Sequence, residues 1–132
     1  MTRPFVLLHA LVLQYSVMKQ AQDFLKLAKQ KFPDATDYDQ IKQALDFATA
    51  KHAGQKRLSG EEYIIHPIAV ATILLEWDMD RDTVIAGLLH DVAEDTDTDL
   101  KIVEEKFGKE VALLVDGVTK IGKARAGRED IT

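Results

Sequence analysis

Residues 82–95 read Asp82-Thr83-Val84-Ile85-Ala86-Gly87-Leu88-Leu89-His90-Asp91-Val92-Ala93-Glu94-Asp95. The run is apolar on most sides up to Leu89 and then turns abruptly polar. A helix that is apolar nearly all round leaves no face for water and belongs at the centre of a packed domain. Asp82 can cap its start by accepting a hydrogen bond from a first-turn amide. A histidine and an aspartate, side by side, close the buried stretch.

Outward from this helix the same period recurs. Upstream, a helix starting near His66, with Pro67 at the first helical position, runs through Ile68, Val70, Ala71, Ile73, Leu74, Leu75 and Trp77. Proline is harmless there because its missing N–H would have no intrahelical partner. Before it lies a polar loop, residues 55–62 (Gln-Lys-Arg-Leu-Ser-Gly-Glu-Glu). Asp37 is a candidate cap for an earlier helix whose face carries Ile41, Leu45, Ala48 and His52, closed by Gly54. Met18 to Phe32 places Ala21, Phe24, Leu25 and Ala28 at helical spacing, and Pro33 ends it. Downstream, Thr98 or Asp99 can cap a helix through Ile102, Val103 and Phe107, closed by Gly108; another runs from Lys109 to about Ile121. Residues 122–132 are polar and read as loose. Strand-type alternation is not sustained anywhere. The pattern predicts an all-α, multi-helix domain with two buried central helices.

The length of 132 residues fits one small domain. Apolar residues at 46% and charged residues at 30% are a globular balance, which argues against wholesale disorder. A net charge of −5 argues against a general nucleic-acid coat, since phosphate binding wants a basic surface. The absence of cysteine removes disulfides, thiolate zinc sites and cysteine nucleophiles, and fits a reducing compartment. Phe5 to Leu13 is apolar apart from His9. It has the length of a signal-peptide core, but no small-x-small cleavage site follows, and it is far short of the roughly 20 residues that span a bilayer. Residues 1–17 are read as an N-terminal extension or a first helix, with residues 18–132 as the domain proper.

The chemistry concentrates around His90-Asp91. A neutral imidazole nitrogen and a carboxylate oxygen together suit a divalent metal. An ion pair between the two, or a capping carboxylate, is the simpler account. Glu94 lies four residues past His90, and Asp95 four past Asp91, which on a helix puts further carboxylates one turn along. Residues 91–99 hold five acidic groups, and such crowding is relieved by a cation or by proton uptake. His66 precedes His90 by 24 residues and opens the other apolar helix, so two antiparallel helices can bring both to one site. His9 has no acidic neighbour, and His52 near a helix C-terminus can simply favour the dipole. In the loop, Arg57 can bind a phosphate bidentately or stack on a base.

Taken together, several strings resemble a known family. They are Lys51-His52-Ala53-Gly54-Gln55, Arg57 with Ser59-Gly60-Glu61, Tyr63-Ile64-Ile65-His66-Pro67, Leu88-Leu89-His90-Asp91-Val92 with Glu94-Asp95-Thr96, Phe107-Gly108 and Gly117-Val118-Thr119-Lys120. In order and spacing, over residues 18–132, they resemble the HD-type hydrolase domain of RelA/SpoT homologues. The resemblance implies an all-helical HD-domain bundle and a cytoplasmic, Mn²⁺-dependent enzyme. Such an enzyme removes the 3′-pyrophosphate of guanosine tetra- and pentaphosphate, (p)ppGpp, giving GDP or GTP. By motif, His66, His90 and Asp91 would ligate the metal. Glu94 and Asp95 would be the catalytic pair at the attacking water, and Arg57 and Ser59 would contact the guanine nucleotide.

The chain also departs from that family. Leu58 and Glu62 replace a usual lysine and proline. The family's further aspartate ligand, in a later Lys-Leu-Ala-Asp-Arg motif, has no counterpart in residues 121–132. The resemblance therefore implies the N-terminal part of the domain, incomplete at the C-terminus, without its later helices and further domains. Exposed core would then favour self-association or a partner. No nucleic acid and no membrane are expected as partners. A non-catalytic regulatory or interaction domain, or a phosphohydrolase for another nucleotide, are the alternatives.

Overall fold

The computed structural model describes residues 4–58, 60–95 and 98–131, and the side chains of these other than residues 94, 95 and 122–131. Among the described residues there are seven helices: α1 (Pro4–Lys31), α2 (Ala35–Lys51), α3 (Ile65–Glu76), α4 (Arg81–Leu89), α5 (Val92–Asp95), α6 (Leu100–Phe107) and α7 (Lys109–Ile131). The single extended pairing among them is an isolated antiparallel bridge between Lys56 and Glu62. The expected all-α class is what the chain adopts.

α4 is the hub. Val84, Ile85, Ala86, Gly87, Leu88 and Leu89 are all buried, and α2, α3 and α7 pack around them. Gly87 permits a close approach to α3, since a Cβ there would stand 2.7 Å from Leu74 Cδ1. α3 is less central than its composition predicts. Ile65, Pro67, Ile68, Ala71 and Leu75 face inward, but Ile73 and Trp77 remain exposed. Phe24 and Ala28 of α1 and Ile41, Ala44, Leu45 and Ala48 of α2 complete the core on one side. On the other side Val103, Val111, Ala112 and Val115 do so. An edge-to-face pair of Phe47 and Phe107, 5.6 Å between centroids, ties α2 to α6.

The helix starts differ from the sequence reading. α2 is capped by Asp34, whose Oδ1 accepts from the amides of Thr36 and Asp37. Asp37 thus sits inside the helix, where its carboxylate meets Arg81 at 2.9 Å. α4 is capped by Asp80, which accepts from Thr83 N–H at 2.8 Å, so Asp82 lies in the first turn. In each case the earlier aspartate is the one whose oxygen reaches an amide two or three residues on, as an N-cap requires. Asp99 caps α6 and Gly108 closes it, as the sequence indicates. α1 runs unbroken from Pro4 through the expected start at Met18, and α7 continues past Ile121 to Ile131 where a loose tail is expected.

Two ion pairs fix the sense of the bundle. Lys31 at the end of α1 meets Asp78 just beyond α3, at 2.6 Å. Arg81 at the start of α4 meets Asp37 at the start of α2. So α1 runs parallel to α3, and α2 parallel to α4, with successive helices antiparallel. The end of α2, the start of α3 and the end of α4 therefore share one end of the bundle.

Candidate metal centre

At that end α4 stops at Leu89, and His90 and Asp91 form the turn into the four-residue α5. The sequence reading continued one helix through this point; the break comes just where the polar pair begins. His66 lies in the first turn of α3, with its amide donating to Tyr63 O at 3.2 Å. Because α3 and α4 are antiparallel, His66 comes beside the His90-Asp91 turn. The three side chains converge so that one ligand atom from each lies within 4.8 Å of the others. Asp91 Oδ2 is 3.2 Å from His90 Nε2 and 3.7 Å from His66 Nε2. The two imidazoles meet edge to face, 5.6 Å between centroids.

The electrostatics favour a cation. His90 Nδ1 is 2.7 Å from the Gly87 carbonyl oxygen. A carbonyl only accepts, so Nδ1 carries the proton and donates, which leaves the neutral ring's Nε2 as a lone pair facing Asp91. Asp91 is buried, and among the described residues its Oδ2 has no aligned hydrogen-bond donor. A lone pair set 3.2 Å from a carboxylate oxygen is repulsive unless a proton or a metal ion is shared between them. A histidine that donates its other ring N–H to a backbone carbonyl is the usual support for a metal ligand. Burial pushes the Asp91 carboxyl up, but a proton on the facing His90 nitrogen, with smaller contributions from charge on His66 and His52, outweighs burial and holds it below the ordinary 3.8; a metal ion in the proton's place would act in the same sense. It is therefore ionised and ready to ligate at neutral pH. The three residues fit a divalent metal ion.

The other sequence candidates fall out as follows. Arg57 lies in the 52–64 connection, with its amide donating to Glu61 O at 2.9 Å and its carbonyl accepting from Gly60 N–H at 2.8 Å. Gly60 has a positive φ of 89°, which glycine adopts without a Cβ penalty. Lys56 pairs with Glu62 at 3.2 Å and closes the loop base. A cleft of about 610 Å³ is lined by Lys56, Arg57, Leu58 and Tyr63. Ser59 lies outside the described residues. α5 places the Glu94 and Asp95 backbone directly after the His-Asp turn, and their side chains lie outside the described ones.

Sequence reasoning missed the importance of His52 and Tyr63. His52 is 1% exposed, and its ring stacks on Tyr63 at 4.8 Å. The clue was the His52-x-x-Gln55 spacing across a glycine turn: His52 Nδ1 stands 3.0 Å from Gln55 Oε1.

Among the described residues, no helix is long and apolar enough to cross a membrane. The family model described as HD domain matches residues 44–131. A guanosine-3′,5′-bis(diphosphate) 3′-pyrophosphohydrolase of Aquifex aeolicus is 55% identical over 87 residues, 66% of this chain and 12% of that protein. A GTP pyrophosphokinase of Streptomyces coelicolor is 53% identical over 88 residues, 67% of this chain and 10% of that protein. The bifunctional (p)ppGpp synthase/hydrolase SpoT of Escherichia coli is 52% identical over 90 residues, 66% of this chain and 13% of that protein. This chain thus spans a small part of the length of each of these relatives.

Proposed function

The chain belongs to the HD domain family, and from that premise we propose that it hydrolyses the 3′-pyrophosphate of (p)ppGpp, with Mn²⁺ held by His66, His90 and Asp91. The observation that carries this reading is the convergence of one ligand atom from each of those three side chains within 4.8 Å, about an Asp91 oxygen that has no hydrogen-bond partner among the described residues. The names of the relatives supply the substrate class, and a cytoplasmic location goes with it.

Held by His66, His90 and Asp91, a divalent ion would lower the pKa of water and offset charge on phosphoryl oxygens. Water adds to the phosphorus on the ribose 3′ oxygen. The bond between that phosphorus and the ribose oxygen breaks, leaving a 3′-hydroxyl and pyrophosphate. Glu94 and Asp95 follow the ligand pair in sequence and are assigned to orient and deprotonate that water. Arg57 and Ser59 are assigned to the nucleotide: the planar guanidinium suits bidentate phosphate binding or stacking on guanine. Glu62 stands where the family has proline, and its pairing with Lys56 gives the loop another means of closure.

The test is release of pyrophosphate from ppGpp with and without Mn²⁺. His90→Ala lowers the rate about a hundredfold or more, because the cation's contribution to the transition state is several kcal/mol. An unchanged rate in that variant sinks the assignment. A second reading, a non-catalytic interaction domain, draws on the exposed Leu113, Leu114, Val118 and Ile121 of α7. Under that reading Mn²⁺ leaves the melting temperature unchanged.

A further inference from the structure

His52 is a buried group that the proposed reaction leaves unused. It ends α2, and hydrogen bonds knit it to the metal centre by way of the loop. Gln55 N–H donates to His52 O at 3.0 Å, Tyr63 N–H donates to Gln55 O at 3.1 Å, and His66 N–H donates to Tyr63 O at 3.2 Å. The side chains repeat the connection, through His52 Nδ1 with Gln55 Oε1 and through the His52–Tyr63 stack. A continuous strap therefore joins the end of α2 to the first turn of α3.

Packing alone does not call for an imidazole here. A phenyl ring would stack on Tyr63 equally well. Instead the ring buries Nε2, which has no hydrogen-bond partner among the described residues. An unserved buried polar atom costs on the order of 1–3 kcal/mol, and such atoms are rare in native proteins. With Nδ1 donating to Gln55, Nε2 is an acceptor awaiting a donor from outside the polypeptide. Its position suits one. α2 and α4 run parallel, so His52 lies at the same end as the His90-Asp91 turn.

We infer that His52 is a positioning residue of the metal centre. The strap sets the start of α3, and with it His66. Nε2, buried at this end of the bundle, accepts a hydrogen bond from an enclosed water. The inference rests on the reading of His66, His90 and Asp91 as a cation site.

The test is Mn²⁺ binding to the 132-residue chain, followed by loss of the free-ion electron paramagnetic resonance signal, with melting of the metal-free protein alongside. His52→Phe keeps the stack and removes both nitrogens. It weakens Mn²⁺ binding about ten- to a hundredfold, the cost typical of losing a group that supports metal ligands. His52→Gln, which restores a polar atom near the Nε2 position, recovers most of that loss. Where His52→Phe does not fold, Gln55→Leu asks the same question by freeing the ring, and weakens binding about tenfold. Wild-type affinity in His52→Phe, or in Gln55→Leu, overturns the positioning role while leaving the cation site standing. A wild-type chain that takes up no Mn²⁺ overturns the site and the inference together.

Discussion

Asp91 holds a carboxylate between two imidazoles while largely shielded from water. Its neighbour in the sequence supplies one ring and a residue 25 positions earlier supplies the other. The His90-Asp91 pair was legible because two ionisable groups at the end of an apolar run demand a partner. That His66 completes the set was legible only as a possibility, because spacing across a loop fixes no distance; the antiparallel packing of α3 on α4 supplies it. The unserved His52 nitrogen was not legible, since burial at a helix end depends on what the following loop folds over. Gly87 gives a test at the same scale. In Gly87→Ala the new Cβ meets the far end of Leu74, a flexible side chain, while the helix gains about 1 kcal/mol in propensity. The net change in a urea titration is smaller than about 1 kcal/mol. Gly87→Leu overfills the α3–α4 contact and destabilises by about 1–3 kcal/mol.

Three helices start on aspartates that accept first-turn amides: Asp34, Asp80 and Asp99. Periodicity located these helices, but it could not choose between Asp34 and Asp37, or between Asp80 and Asp82, because both members of each pair are capping types. Backbone geometry decides, by which carboxylate lies two or three residues ahead of a free amide. Periodicity also shortened α1 and α7: residues 5–13 are apolar without a break except at His9, and residues 122–131 are mostly polar, so neither stretch shows a one-sided helical period. Asp80→Ala removes a cap and costs about 1 kcal/mol in urea unfolding, whereas Asp80→Asn costs only tenths. Bonds from Thr83, side chain and then backbone, hold the Asp80 pKa below its ordinary 3.8. A depressed folded pKa stabilises fully above the unfolded value and fades as pH falls through the folded one. The advantage of wild type over Asp80→Asn therefore holds at neutral pH and shrinks below about pH 4. A gap that does not narrow as the pH is lowered from 7 would contradict this.

A ligand that binds only the folded chain stabilises all of it. At a hundred times its Kd, Mn²⁺ adds about 2.7 kcal/mol and raises the melting temperature by several degrees, and chelation reverses the shift. The proposed ion site lies at one end of the bundle. The opposite end is closed by the two ion pairs Lys31–Asp78 and Arg81–Asp37, and the chain reverses there through short connections, residues 32–34 and 77–80. At the site end the crossing from α2 to α3 takes residues 52–64, long enough to carry Arg57, Tyr63 and the strap. The proposed site and the ion-pair closure thereby sit at different poles of the molecule. Residues 57–61 can be exchanged like an interchangeable cassette, altering what the mouth admits, because the Lys56–Glu62 pair closes their base and the strap runs through Gln55 and Tyr63 outside them, while the tied pole keeps the helices in register.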